Sequence, residues 1–175
     1  MADLYRSAER LMGMNDEAWA RHANPLSLWT RVAALPLLIL AIWSRVWLGS
    51  WALVPVALAI GWVWLNPRAF SVPDRFDHWA AKGTIGERLF IARTSHPIPD
   101  HHVRIAHLLT ALSAVGLAPL IYGLTVLDPG ATLAGLIGTM LPKIWFVDRM
   151  VWLHDDMQRT DPAYVASFTP QPTKP

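Results

Sequence analysis

The chain predicts an all-α membrane protein, with four transmembrane helices in two hairpins and amphipathic interfacial helices on the cytoplasmic face. Three observations carry this. Apolar stretches occupy residues 32–48, 51–65, 105–127 and 130–152, to be compared with the roughly 20 residues that cross a ~30 Å hydrocarbon layer. The first reaches that length when it starts at Trp29, with Arg31 and Arg45 extending to opposite headgroup layers. Of the fifteen Lys and Arg residues, all but Arg45 lie in 1–31, in 66–104 or from Lys143 onward. That is the bias expected when both termini and the middle segment face the cytoplasm. Eight of the ten tryptophans also sort into two belts, Trp43, Trp47 and Trp51 at the outer turn and Trp29, Trp62, Trp64, Trp145 and Trp152 near the inner boundary. Whole-chain values of +0.28 for mean hydropathy and 16% for charged residues understate the pattern, because charged juxtamembrane sequence dilutes the spans.

Residues 1–31 form an N-terminal interfacial region. Leu4, Ala8, Leu11 and Met12 share one helical face opposite Arg6, Glu9 and Arg10, Gly13 ends that helix, and Asn15 or Asp16 caps a second one. No apolar core ending in small residues precedes Trp29, so the first span is expected to act as its own insertion signal. Asn24-Pro25 marks a turn and Ser27 a cap, and residues 32–65 make the first hairpin, closed at Asn66-Pro67. The cytoplasmic segment 66–104 predicts two short amphipathic helices. One starts after Asp74 and carries Phe76, Trp79 and Ala80; the other opens with the capping-box spacing Thr84…Glu87. Asp100 caps the second hairpin, 105–152, which turns at Asp128-Pro129-Gly130. Small residues recur every four positions at Thr110, Ala114 and Ala118, and again at Ala131, Gly135 and Thr139, as close-packed membrane helices require. Pro36, Pro55, Pro119 and Pro142 give one proline per span. Residues 153–175 read as a cytoplasmic tail, loose where Pro162, Pro170, Pro172 and Pro175 cluster.

A net charge of +2 without a dense basic stripe argues against nucleic acid as a partner and suits an anionic inner leaflet. With no cysteine, disulfides, thiolate ligands and cysteine nucleophiles are excluded together. No span carries an ionisable residue deep in its length, which weakens a proton-coupled transporter or a transmembrane haem protein.

Trp19, Arg21, His22, Asn24, Pro25, Ser27, Trp29 and Thr30 make a dense block. Asn66-Pro67-Arg68-Ala69-Phe70, then Trp79, then Gly86-Glu87-Arg88, make a second. Together, over roughly 15–95, they resemble an uncharacterised family of small multi-pass prokaryotic membrane proteins classed as a domain of unknown function. The resemblance implies a membrane topology and one shared feature built from His22, Asn24, Pro25, Trp29, Asn66, Pro67 and Glu87; it implies no activity.

Two constellations could carry chemistry. His22, Asn24, Trp29 and Arg31 at the mouth of the first span meet Asn66 and Arg68 at the exit of the second, with Glu87 nearby in the signature. Arginine and asparagine beside an indole suit a lipid phosphate or acidic headgroup. The plain alternative is that Asn-Pro caps helices and the arginines anchor them. The second is histidine: His96, His101, His102, His107 and His154 fall on the inner side, with Glu87, Asp155 and Asp156 at hand. Loosely, this resembles the clusters of membrane-bound di-iron desaturases and hydroxylases, implying non-haem iron or another transition metal. The repeated His-x-x-His-His boxes of that class are absent, and the plain alternative is interfacial or capping histidines. Lys143, Asp148 and Arg149 near the inner end of the fourth span read as side chains reaching for the interface.

The expectation is an integral protein of a bacterial or archaeal cytoplasmic membrane that acts as a non-catalytic accessory, assembly component or lipid-contacting scaffold. It needs no cofactor, and its partners are lipids and a larger membrane complex or further copies of itself. The alternative is a metal-dependent enzyme acting on a lipid at the cytoplasmic face. A reporter fused to either terminus should remain cytoplasmic; activity of a periplasm-dependent reporter there would overturn the topology.

Overall fold

The computed structural model describes residues 2–169, and among them every regular element is helical. The side chains of Leu4 and Ala8, together with Lys174 and the prolines at 170, 172 and 175, lie outside the described residues. Helix α1 (Ala2–Leu11) is followed by Gly13 at φ +58°. Asn15 then caps α2 (Asp16–His22), its side chain accepting from the Ala18 amide at 2.8 Å. Helix α3 (Pro25–Trp43) starts at Asn24, whose Oδ1 accepts from Leu26 N, and places Pro25 where a missing N–H costs nothing. Short α4 (Arg45–Leu48) and a 3-10 turn at Gly49–Ala52 lead into α5 (Leu53–Ala69). After α6 (Trp79–Ala92) come α7 (Asp100–Val126), α8 (Pro129–Thr160), capped by Asp128 on Ala131 N, and α9 (Pro162–Phe168).

Three helical stretches, not the four separate spans expected, are long and apolar enough to cross a membrane. They are Pro25–Ala69 (45 residues), Asp100–Val126 (27) and Pro129–Thr160 (32). The first merges two expected spans because the connection at 49–52 is itself helical. It nevertheless doubles back on itself, since Ser27 near its start hydrogen-bonds Asn66 near its end at 2.8 Å. Only 17%, 22% and 17% of the most apolar windows are buried. Leu37, Leu58, Val115, Ile121 and Leu141 accordingly face outward, an apolar belt far larger than a soluble monomer exposes.

The two hairpin turns share one end of the bundle. Arg45 donates through Nη2 to the carbonyls of Leu124 and, at 3.0 Å, Thr125, where α7 leaves its last acceptors unpaired. At the opposite end lies a core of soluble-protein type, made by Ile85, Leu89, Phe90, Met150, Leu153 and Val165 from α6, α8 and α9. At 1.5 Å per residue α8 is about 48 Å long, so its last third projects past a membrane-thick layer into this core.

Several local expectations are corrected. Segment 66–104 holds one helix, α6, rather than two. Thr84 is buried inside it and bonds the Ala80 carbonyl at 3.0 Å instead of opening a capping box. Nor does α6 lie along the surface: Gly86 sits so close to α8 that a methyl there would overlap the Met150 carbonyl. Ser27 is a buried interior residue of α3, Asn24 being the cap. Asn66-Pro67 does not close α5, which runs to Ala69. Pro99, not Asp100, occupies the cap position of α7, and Pro162 opens a helix rather than a loose tail. On α8 the small-residue stripe packs as expected through Gly135 and Thr139. Its partner on α7 is Gly116, Leu120 and Gly123, whereas Ala114 and Ala118 face outward.

Gly86→Ala should lower stability by about 1–3 kcal/mol, the usual cost of forcing volume into a tight contact. A lower melting temperature in detergent checks this, and an unchanged one would place α6 looser against α8 than described.

Candidate functional site

Most of the inner-boundary set expected from sequence converges at the base of the α3–α5 hairpin. A chain of hydrogen bonds runs through buried side chains there. His22 Nδ1 lies 3.0 Å from Ser27 Oγ, Ser27 Oγ donates to Asn66 Oδ1, and Asn66 Nδ2 donates to Thr30 Oγ1 at 2.7 Å. Asn66 and Ser27 are fully buried, so each would pay the desolvation cost of a lost partner if the others were absent. Asn24 reaches across the hairpin as well, donating to the Ser71 carbonyl at 3.0 Å.

Arg68 donates to the Met12 and Gly13 carbonyls and lies over the Trp64 ring, tying α5 to the end of α1. Trp29 is stacked on Trp79 of α6, rings 6.2 Å apart. Trp79 Nε1 in turn donates to Asp148 of α8 at 3.0 Å. Arg88 pairs with Asp16 of α2 and donates to the Phe168 carbonyl of α9. These residues therefore hold seven helices together, and the structural alternative accounts for them. Ser27 and Thr30, three apart on one helical face, belong to the same network. That spacing was a readable signal.

Arg31 and Glu87 are left over. Among the described residues neither makes a side-chain hydrogen bond, and Arg31 Nε is buried without a partner. Glu87 is partly buried; burial pushes its carboxyl up, opposed by the charges of Arg31 and Lys143. The imidazole of His22 is held well below its ordinary value by burial first, then by Arg31 and Lys143. Two cations, one reluctant carboxylate and a neutral imidazole thus share one electrostatic neighbourhood drawn from α2, α3, α6 and α8. Asp148 and Arg149 have separate uses, Asp148 on Trp79 and Arg149 over the Trp152 ring, while Lys143 remains exposed.

The histidines scatter more. His96 stacks on Tyr164 and sits 3.3 Å from Asp161. His107 meets the edge of Phe90, and His154 Nδ1 lies 3.0 Å from Asp155, which also pairs with Lys82. Outside the expected set, His78 caps α6 by accepting from Ala81 N. Among the described residues the metal-capable group is His101, His102 and Asp156, whose ligand atoms lie within 4.8 Å of one another.

The fold and this site define an all-helical protein with helices apolar enough to cross a membrane and a hydrogen-bonded polar end. The chain belongs to a family of unknown function, DUF6653, which it matches over residues 5–172. The match extends well past the two blocks that carry the resemblance in sequence. Neither the curated proteins nor the solved structures include a significant match.

Because His22 binds its proton less readily folded than unfolded, its contribution to stability is full above the unfolded value of about 6.5 and is lost as pH falls below it. The melting temperature in detergent should therefore drop on acidification from pH 7, and His22→Gln should flatten that dependence. A wild-type profile that the substitution leaves unaltered would contradict the buried neutral imidazole.

Proposed function

We propose that the protein is a four-pass component of a prokaryotic cytoplasmic membrane, both ends inside. It acts without catalysis as a lipid-contacting scaffold that holds an anionic headgroup at the base of its first hairpin. The doubling-back of Pro25–Ala69 supports four passes rather than three, and the Arg45 contact with the end of α7 supports turns on a common side. Exposed Trp47 and Trp51 near those turns, and exposed Trp29, Trp64, Trp145 and Trp152 toward the other end, fit two interfacial belts. The cation bias then supports the cytoplasmic side for the polar end. The apolar flanks suit lipid and the helices of a larger complex or of further copies.

The observation that carries the headgroup reading is Arg31, whose buried Nε has no partner. A guanidinium offers five donors in a planar fork, and phosphate oxygens accept them two at a time. Lys143 adds a second cation on the same neighbourhood, and Glu87, inclined toward its neutral form, opposes an anion less than an ordinary carboxylate would. Trp29, exposed and two residues before Arg31 at the same helix end, supplies the indole expected at headgroup depth.

Purified protein should retain phosphatidylglycerol in preference to phosphatidylcholine from mixed vesicles, and Arg31→Gln should weaken that preference about tenfold, the equivalent of one charge-assisted bond. Equal retention by wild type and variant, with both folded by thermal melt, would defeat the headgroup role.

A further inference from the structure

The base of α7 and the overhanging part of α8 bring two imidazoles and a carboxylate to one point, away from the hairpin base. His102 is fully buried, and its Nε2 lies 2.8 Å from Asp156 Oδ2. His101 is 61% exposed, with Nε2 3.8 Å from the same oxygen. The two rings stand 4.1 Å apart at 38°. A simple clamp between α7 and α8 needs only the His102 bond. That clamp gives no role to the His101 nitrogen, 3.8 Å from the carboxylate and beyond hydrogen-bond range, while the His101 ring rests against that of His102.

We propose that His101, His102 and Asp156 form a binding site for one divalent transition-metal cation of the zinc type. Donors on a tetrahedral ion at about 2.0–2.2 Å from the metal lie about 3.4 Å from one another, between the two separations seen here. The three ligand atoms lie within 4.8 Å of one another, so closing them on one ion takes side-chain movements of about an ångström, which the exposed His101 is free to make. The ion takes the place of the proton between His102 and Asp156, and the imidazole proton moves to Nδ1. The His102–Asp156 hydrogen bond is exchanged for bonds from both groups to the ion, and at Nδ1, buried without a partner among the described residues, the moved proton displaces none. Two nitrogens and one oxygen select first-row transition ions over magnesium and calcium, which prefer oxygen alone. The exposed side of His101 leaves a coordination position for water, the arrangement of an open rather than a sealed structural site. Arg159 lies 4.0 Å from the other oxygen of Asp156, Oδ1, and leaves Oδ2 to the histidines. This site stands independently of the headgroup reading.

The test uses the full chain in detergent, stripped with a chelator and titrated with Zn2+ by calorimetry, with Mg2+ present as competitor and Co2+ substituted for its visible absorption. One equivalent of Zn2+ should bind, undisturbed by Mg2+. His101→Ala, an exposed position, and Asp156→Asn, which keeps an acceptor for His102, should each weaken binding at least about tenfold. Both should leave the melting temperature of the metal-free protein near that of the wild type. His96→Ala, outside the group, should change nothing. Absence of stoichiometric binding, or equal losses with His96→Ala and His101→Ala, would overturn the site.

Discussion

Helix α8 is longer than a hydrocarbon layer is thick, and the remainder of the fold depends on where its surplus goes. Its first two thirds need only an apolar partner, which α7 supplies through glycine contacts. The last third, Met150 to Thr160, carries Met150, Leu153, His154, Asp155, Asp156 and Met157, and α6, α7 and α9 lean on it. Gly86 of α6 rests on its backbone, Trp79 and Lys82 bond acids of α8, and the first turn of α7 meets Asp156. A helix of ordinary spanning length would remove the platform together with the contact of His102 with Asp156.

The molecule therefore uses two kinds of cohesion. In the membrane placement proposed above, burial of the apolar belt from water gains little, and association there depends on close backbone approach and dispersion. At the polar end a conventional core forms around Phe90, Leu89 and Leu153, with the side-chain network of His22, Ser27, Asn66 and Thr30 beside it. The network fixes the α3–α5 hairpin by hydrogen bonds that water would otherwise compete for. In this setting the uncommitted Arg31 is more informative than the many bonded residues around it.

Legibility in sequence followed the range of the forces involved. Hydropathy and the distribution of cations are sums over many residues, and they located the apolar stretches and the polar end. The cap at Asn15 was readable, its side chain three residues from the amide it accepts from, whereas Asn24 and Asp128, which cap in the same local way, read only as turn residues. Local patterns misled where tertiary contact decides. Thr84…Glu87 has capping-box spacing yet lies mid-helix, because packing on α8 carries the helix through it. The period-four residues of α7 chose the wrong face, since Gly116 and Gly123, seven apart, are the ones the partner backbone touches. His102 and Asp156 are 54 positions apart, and no local signal joins them.

The contact of Arg45 with the carbonyls ending α7 has an effect beyond holding two hairpins together. Asp128, the acid nearest those turns, is likewise spent on the Ala131 amide at the start of α8. Each charge faces the helix dipole of opposite sign, and the loop surface presents almost no electrostatic field to solution. Anything meeting that surface must recognise it by shape and greasy contact at ordinary diffusive rates, whereas long-range attraction acts on the opposite pole of the molecule alone.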